Sequence, residues 1–248
     1  MRIPKGREIL AAVPALLDKA LAVQEPVVRA HVERLKKANP GNTPQDVVAA
    51  LERQYLAAVT SMGAASGAAA AGPAVGTAVA LPINMAEVGG FLEATTLFVL
   101  ALAHIHGVEI EDLERRRTVV LAVLAGNRGT KIVEKIAGRI GPHWARAIVK
   151  GIPMESIRAI NKVLGRNFVT KQGTKQGILV LGRELPLGIG FVFGGIGNAA
   201  LGYMAVRAAR SAFGTPPAKW QPPQPASDPV GPRPTIAPAG TGGSDALE

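Results

Sequence analysis

Small residues recur at every fourth position in two long stretches that carry no charge. They are Gly63 and Gly67, Gly72 and Gly76, and then Gly190, Gly194, Asn198 and Gly202. Residues four apart lie on one face of an α-helix, and a face of small residues lets a second helix approach to near-backbone distance. Glycine inside a helix costs roughly 1 kcal/mol against alanine, so so many in register imply close helix–helix packing that offsets the cost. The charge-free stretches run from Gln54 through Ala86 and from Leu185 through Val206, the second 22 residues long.

The rest of the chain agrees with helices. Apolar residues make up 48% of the 248, but aromatics only 4%. The apolar mass is therefore Ala, Val, Leu and Ile, with no runs of strictly alternating β-branched residues. The expectation is an all-α, multi-helix bundle with Gly/Ala-rich, close-packed helices. It has two settings: a soluble bundle, or a membrane-associated one in which residues 185–206, long enough to span, insert into lipid. Residues 54–86 suit insertion less, since Ala and Gly drive it weakly and Pro73 and Pro82 interrupt the run.

Punctuation residues divide the chain. A first helix covers about 6–23, with Pro14 as a possible kink, and Pro26 opens a second to about Ala38. Asn39-Pro40-Gly41-Asn42 is a turn, and Thr43-Pro44-Gln45-Asp46 supplies an N-cap, a first-turn Pro and an acid for a long third helix. The next helix is expected after Pro82, from about Asn84 to His106, capped by Gly107. Glu109, Glu111 and Asp112 favour another helix start; Gly126-Asn127-Arg128-Gly129 breaks that helix. Shorter helices follow near 130–139, 142–150 and 153–164. The organisation expected is an N-terminal helical segment, 1–44, packed as one unit with a helical domain, 45–214. A Pro/Gly-rich tail, 215–248, has too little apolar surface to offset its ordering entropy. The N-terminal Arg2, Lys5 and Arg7 precede an apolar run, but Glu8 interrupts the basic region. Apolar residues at 9, 10, 13, 16, 17 and 21 fit one helical face better than a cleaved leader.

Charge gives the chief clue to partners. The formal net charge is +10, and residues 113–176 hold fourteen Lys/Arg against three Glu. Such a block attracts polyanions. Arg115, Arg116, Arg117, Lys131 and Lys135 are the candidate contacts to an anionic lipid surface. A protein partner or a second copy of the chain is the further possibility. Specific nucleic-acid recognition is not expected, because only Trp144 and Phe168 are available in the block to stack on bases.

Catalytic and cofactor signatures are missing. With no cysteine, thiolate nucleophiles, disulfides and thiolate metal centres drop out. Gly195-Ile196-Gly197-Asn198-Ala199-Ala200 has dinucleotide-loop spacing but neither a preceding strand nor the distal acid, and no cofactor is expected. His104 and His106, with Glu109 and Glu111 beyond, suggest a metal set. Two residues apart on a helix, however, the imidazoles point about 200° from each other. The simpler expectation is one His on the core face and one at a helix C-terminus that favours imidazolium. Glu87 and Glu93 are expected on a solvated helix edge. No nucleophile–base pattern is present, and the chain reads as non-enzymatic.

Three stretches together resemble the EcsC family. The first is the small-residue run leading to Leu81-Pro82-Ile83-Asn84. The second is Ala101-Leu102-Ala103-His104-Ile105-His106-Gly107-Val108-Glu109, with Leu113 and Val119 to Leu124 after it. The third is Gly182-Arg183-Glu184-Leu185-Pro186-Leu187-Gly188-Ile189-Gly190, then Gly194-Gly195-Ile196-Gly197-Asn198 and Ala208 to Gly214. The pattern spans roughly 45–214. It implies a helical, often membrane-associated protein, in a family with no established biochemical activity. With the basic block, the expectation is an accessory or binding protein at the cytoplasmic face of the membrane, peripheral or partly inserted, or else a soluble cytoplasmic interaction module. It transfers no catalytic residue, and Asn84 stands where the family often carries an Asp.

Overall fold

The computed structural model describes residues 7–22, 25–38, 40–70, 77–138, 143–168 and 195–220. Side chains are described for 14–22, 25–38, 40–65, 86–138, 143–166 and 197–220. These residues form helices and their connections, without a strand among them: α1 (Arg7–Leu21), α2 (Glu25–Ala38), α3 (Pro44–Ala70), α4 (Thr77–Ile105), α5 (Leu113–Leu124), α6 (Asn127–Ala137), α7 (Ala145–Lys150), α8 (Met154–Phe168) and α9 (Gly195–Phe213).

The helix ends follow from local chemistry. At the start of α3, the Asp46 carboxylate accepts from the Thr43 backbone N–H at 2.9 Å, and the Thr43 hydroxyl accepts from the Asp46 N–H at 3.3 Å. This is the reciprocal capping arrangement that the Thr-Pro-Gln-Asp run implies. Asp112 caps α5 by accepting from the Arg115 N–H at 2.9 Å. The end of α4 is a Schellman turn: Val108 N–H bonds to Ala103 C=O at 2.9 Å and Gly107 N–H to His104 C=O at 3.0 Å. Gly107 sits at φ +65°, a conformation that glycine adopts without a Cβ penalty.

Two boundaries differ from expectation. Helix α4 begins at Thr77, so Pro82 lies inside it and does not open it. Only Ala125 and Gly126 separate α5 from α6, and Asn127, Arg128 and Gly129 already belong to α6. A side chain at Gly129 would fall on the Ala122 carbonyl, so the glycine read as a breaker is what permits α6 to fold back against α5.

Helix α4 lies at the centre of one half of the bundle, touching α1, α2, α3, α5 and α9, while α5 is the centre of the other half with α6, α7 and α8. Every residue from Thr118 to Leu124 is buried. Trp144 is the largest of the fully buried side chains. The Tyr55 and Phe98 rings stack at 4.5 Å between α3 and α4. Thr95 Oγ1 donates to the Phe91 carbonyl at 2.7 Å, which leaves the Tyr55 hydroxyl to donate to Thr95 at 2.9 Å. Burial pushes the Tyr55 phenol up to about 12.

The chain does not leave the bundle at residue 215. The Trp220 indole N–H donates to the Asn42 carbonyl at 2.9 Å, and Lys36 Nζ lies 4.4 Å from its ring centre. The segment after α9 therefore returns to the bundle, with Trp220 packed at the α2–α3 corner. The remainder of the expected tail, 221–248, lies outside the described residues.

Candidate functional site

The small-residue stripe forms an antiparallel crossing of α3 and α9. A Cβ on Gly63 would lie 2.9 Å from Asn198 Cβ and 2.8 Å from its Nδ2, and a Cβ on Gly202 would lie 2.8 Å from Val59 Cγ2. The contact is reciprocal: α9 places Asn198 over the gap at Gly63, and α3 places Val59 and Leu56 over the gap at Gly202. Gly67 belongs to α3, but its surroundings are not among the described ones. Gly72, Gly76, Gly190 and Gly194 lie outside the described residues.

The crossing also carries polar ties. Asn198 is fully buried and its Nδ2 donates to Glu87 Oε1 of α4 at 2.9 Å. Glu87 is 5% exposed, which corrects the expectation of a solvated helix edge; Glu93, six residues on, is exposed as expected. Glu87 lies one turn before Phe91 on the face that α4 presents to its neighbours, and Glu93 does not. Towards the other end of α3, buried Glu52 accepts two bonds from Arg210 of α9, Nε at 2.7 Å and Nη2 at 2.5 Å. That pair joins positions 158 apart in sequence, and nothing in the local pattern marks it.

The basic block divides in two. Arg115, Arg116 and Arg117 turn towards protein. Arg115 donates to the Ile148 carbonyl and, at 3.1 Å, to the Ile152 carbonyl, closing the C-terminal end of α7. Arg116 Nε donates to the Ile110 carbonyl at 2.5 Å, and Arg117 pairs with Asp18 of α1. Replacing any of these three therefore removes a contact that ties α5 to α7, to the Ile110 connection or to α1. Lys131 and Lys135, by contrast, are exposed on α6, four residues apart on one face. Helix α8 packs beside α6 and exposes Arg158, Lys162 and Arg166 at the same spacing, with Glu155 at its start. The inward faces are apolar: Val133 with Gly129 on α6, and Ile157, Ile160 and Leu164 on α8. Both helices are thus amphipathic, with outer faces on which these cations outnumber the exposed acids, Glu134 on α6 and Glu155 on α8.

The histidines separate. His106 is buried just past the end of α4, its Nδ1 donating to the Leu102 carbonyl at 2.8 Å and its Nε2 lying 3.4 Å from the Gly214 carbonyl. Both contacts favour a charged ring, but burial outweighs them and lowers the pKa. The ring is neutral near pH 7, and the shorter bond takes its proton. Burial also lowers His104, with Arg29 acting in the same direction. The imidazolium expected at this helix end is overridden by desolvation. His104 does meet Glu109, and Glu25 arrives from the start of α2: the three lie with one donor atom each within 4.8 Å of the others. His106 and Glu111 are not part of that group.

Among the described residues, one helical segment, Ala86–Ile105, has the length and apolarity to cross a membrane; 67% of it is buried inside the bundle. A core helix of a soluble protein passes the same test. Most of the 185–206 stretch expected to insert lies outside the described residues. No family model, no curated protein and no solved structure matches the chain.

Proposed function

We propose that this chain is a non-enzymatic accessory or binding protein of the EcsC type that docks on an anionic membrane surface at the cytoplasmic face. The observation that carries this reading is the pair of adjacent amphipathic helices, α6 and α8. Their apolar faces are used by the core, while Lys131, Lys135, Arg158, Lys162 and Arg166 project from the outer faces. Cations held in this way, without an ion pair among the described residues, keep their attraction for phosphate-bearing headgroups, worth about 1 kcal/mol for each Lys or Arg near the surface. Attachment is peripheral in this reading, because α4, the described helix apolar enough to insert, already spends most of its surface on its neighbours. The contact surface moves from Arg115–Arg117 to the α6 and α8 faces, with Lys131 and Lys135 retained.

Co-sedimentation of the full chain with phosphatidylserine-containing and phosphatidylcholine-only vesicles tests this. The expected result is selective binding to the anionic vesicles that weakens as salt shortens the Debye length from about 10 Å at 0.1 M towards 3 Å at 1 M. Equal binding to both lipids at all salt concentrations would exclude electrostatic docking. A second reading, a soluble helical module that binds a protein partner or polyanion, draws support from the burial of α4 in the bundle. It is favoured by an absence of vesicle binding.

A further inference from the structure

The cluster at the end of α4 is not explained by surface docking. Gly107 reverses the chain in its left-handed conformation, so Glu109 comes back over the last turn of α4 beside His104. The start of α2 brings Glu25 to the same place. The three line a cleft with space of about 20 Å³, together with apolar Val28, Leu100, Ala103, Val108 and Ile110 and with Arg116, whose Nε is held by the Ile110 carbonyl. That is room for roughly one water molecule. Arg29 now bridges the two carboxylates: Nη2 lies 2.5 Å from Glu25 Oε1 and 3.4 Å from Glu109 Oε1. The ion pairs leave the imidazole over. The His104 ring has no hydrogen-bond partner among the described residues, although it is half-buried in the wall of the cleft.

We infer that Glu25, His104 and Glu109 form a binding site for a divalent transition-metal ion of the zinc type, with Arg29 as the competing cation. Two carboxylate oxygens and one imidazole nitrogen suit zinc or its neighbours, and an open fourth position would go to water. An all-oxygen set would suit calcium or magnesium, but the imidazole selects against them. Zinc–ligand bonds of about 2.0–2.2 Å set tetrahedral donors roughly 3.4 Å apart, so donors now within 4.8 Å of one another must draw together. Glu109 can do so, because it is exposed on a loop, and Glu25 is only half-buried at a helix end. The Arg29 side chain is 55% exposed and can turn into solvent as the ion enters. Bound metal would clamp the start of α2 to the end of α4.

Isothermal titration of chelator-stripped full-length protein with Zn²⁺ tests the site. The expected result is one site that Ca²⁺ in excess does not compete away. Glu109→Gln and His104→Gln should each weaken it at least tenfold, and Arg29→Gln should tighten it several-fold by removing the competitor. His143→Gln, at an exposed position outside the cleft, should leave it unchanged. Zinc binding that Glu109→Gln and His104→Gln leave intact would place the ion elsewhere and overturn the inference. So would an absence of binding in both the native chain and Arg29→Gln. Glu109 is exposed, so that variant reports on binding even if His104→Gln is poorly folded.

Discussion

Replacing Gly63 by Ala should destabilise the protein, and the same substitution at Gly165 should stabilise it. Both residues lie in helices, α3 and α8, and neither has a positive φ. Intrinsic propensity therefore favours alanine by roughly 1 kcal/mol at each. The environments differ. At Gly165 a Cβ meets nothing within 4 Å, whereas at Gly63 it meets Asn198 Cβ at 2.9 Å. A Cβ cannot rotate away, so α9 itself must move. Overpacking costs about 1–3 kcal/mol, and drawing the Asn198 amide off Glu87 forfeits part of a buried hydrogen bond, worth about 0.5–1.5 kcal/mol. After the propensity gain, the net loss for Gly63→Ala is about 0.5–3.5 kcal/mol, against a gain of about 0.5–1 kcal/mol for Gly165→Ala. Urea unfolding followed by circular dichroism measures both. For a chain of this size each kcal/mol also shifts the melting temperature by about 2–4 °C. If Gly63→Ala gains stability as Gly165→Ala does, α3 and α9 are not in near-backbone contact and the stripe has another purpose.

Other outcomes follow from the same geometry. Ending the chain after Thr215, or changing Trp220 to Ala, should cost about 1–2 kcal/mol in urea unfolding, since each removes the indole bond to Asn42 and the Lys36 contact; unchanged stability would mean that this segment does not dock. Arg210→Ala should cost about 1–3 kcal/mol, more than Glu52→Gln, because it leaves a buried carboxylate without its fork; the reverse ranking would contradict the pairing. Stability should also fall as pH drops from about 6.5. Burial lowers the folded-state pKa of His31, His104 and His106, so the unfolded chain takes up protons first. The contribution is fully present above the unfolded value and is lost as pH falls towards the folded values. Urea midpoints that are flat or rise between pH 7 and 5, after allowance for the carboxylates, would contradict the burial of these rings.

Helix content and helix ends were legible in the sequence where the signal is local. The Thr43–Asp46 cap, the Gly107 turn and the Asp112 cap depend on residues within one turn of each other. The four-residue spacing of Gly63 with Gly67, and of Asn198 with Gly202, likewise pointed to close packing, although it did not say that Asn198 would fill the space at Gly63. The contacts that sequence reading missed are set by tertiary packing: Glu52 with Arg210, Glu87 with Asn198, and Glu25 with His104. Glu87 reads as an edge residue because carboxylates are seldom buried, and only α9, more than a hundred positions away, supplies its partner. In sequence His104 and His106 read as one helix, whereas the helix ends between them and the chain reverses. Counting cations by position likewise grouped Arg115–Arg117 with Lys131 and Lys135, because the count does not register which side chains find carbonyls or an acid to hold.

The most direct test of the docking surface neutralises it. Lys131, Lys135, Arg158 and Lys162 changed together to Gln remove four exposed charges, about 4 kcal/mol at roughly 1 kcal/mol each, or about a thousandfold in affinity. Binding of this variant to phosphatidylserine vesicles, compared with the native chain at equal helix content, should fall by two to three orders of magnitude, on the order of that estimate. An unchanged affinity would show that the α6 and α8 faces do not meet the membrane.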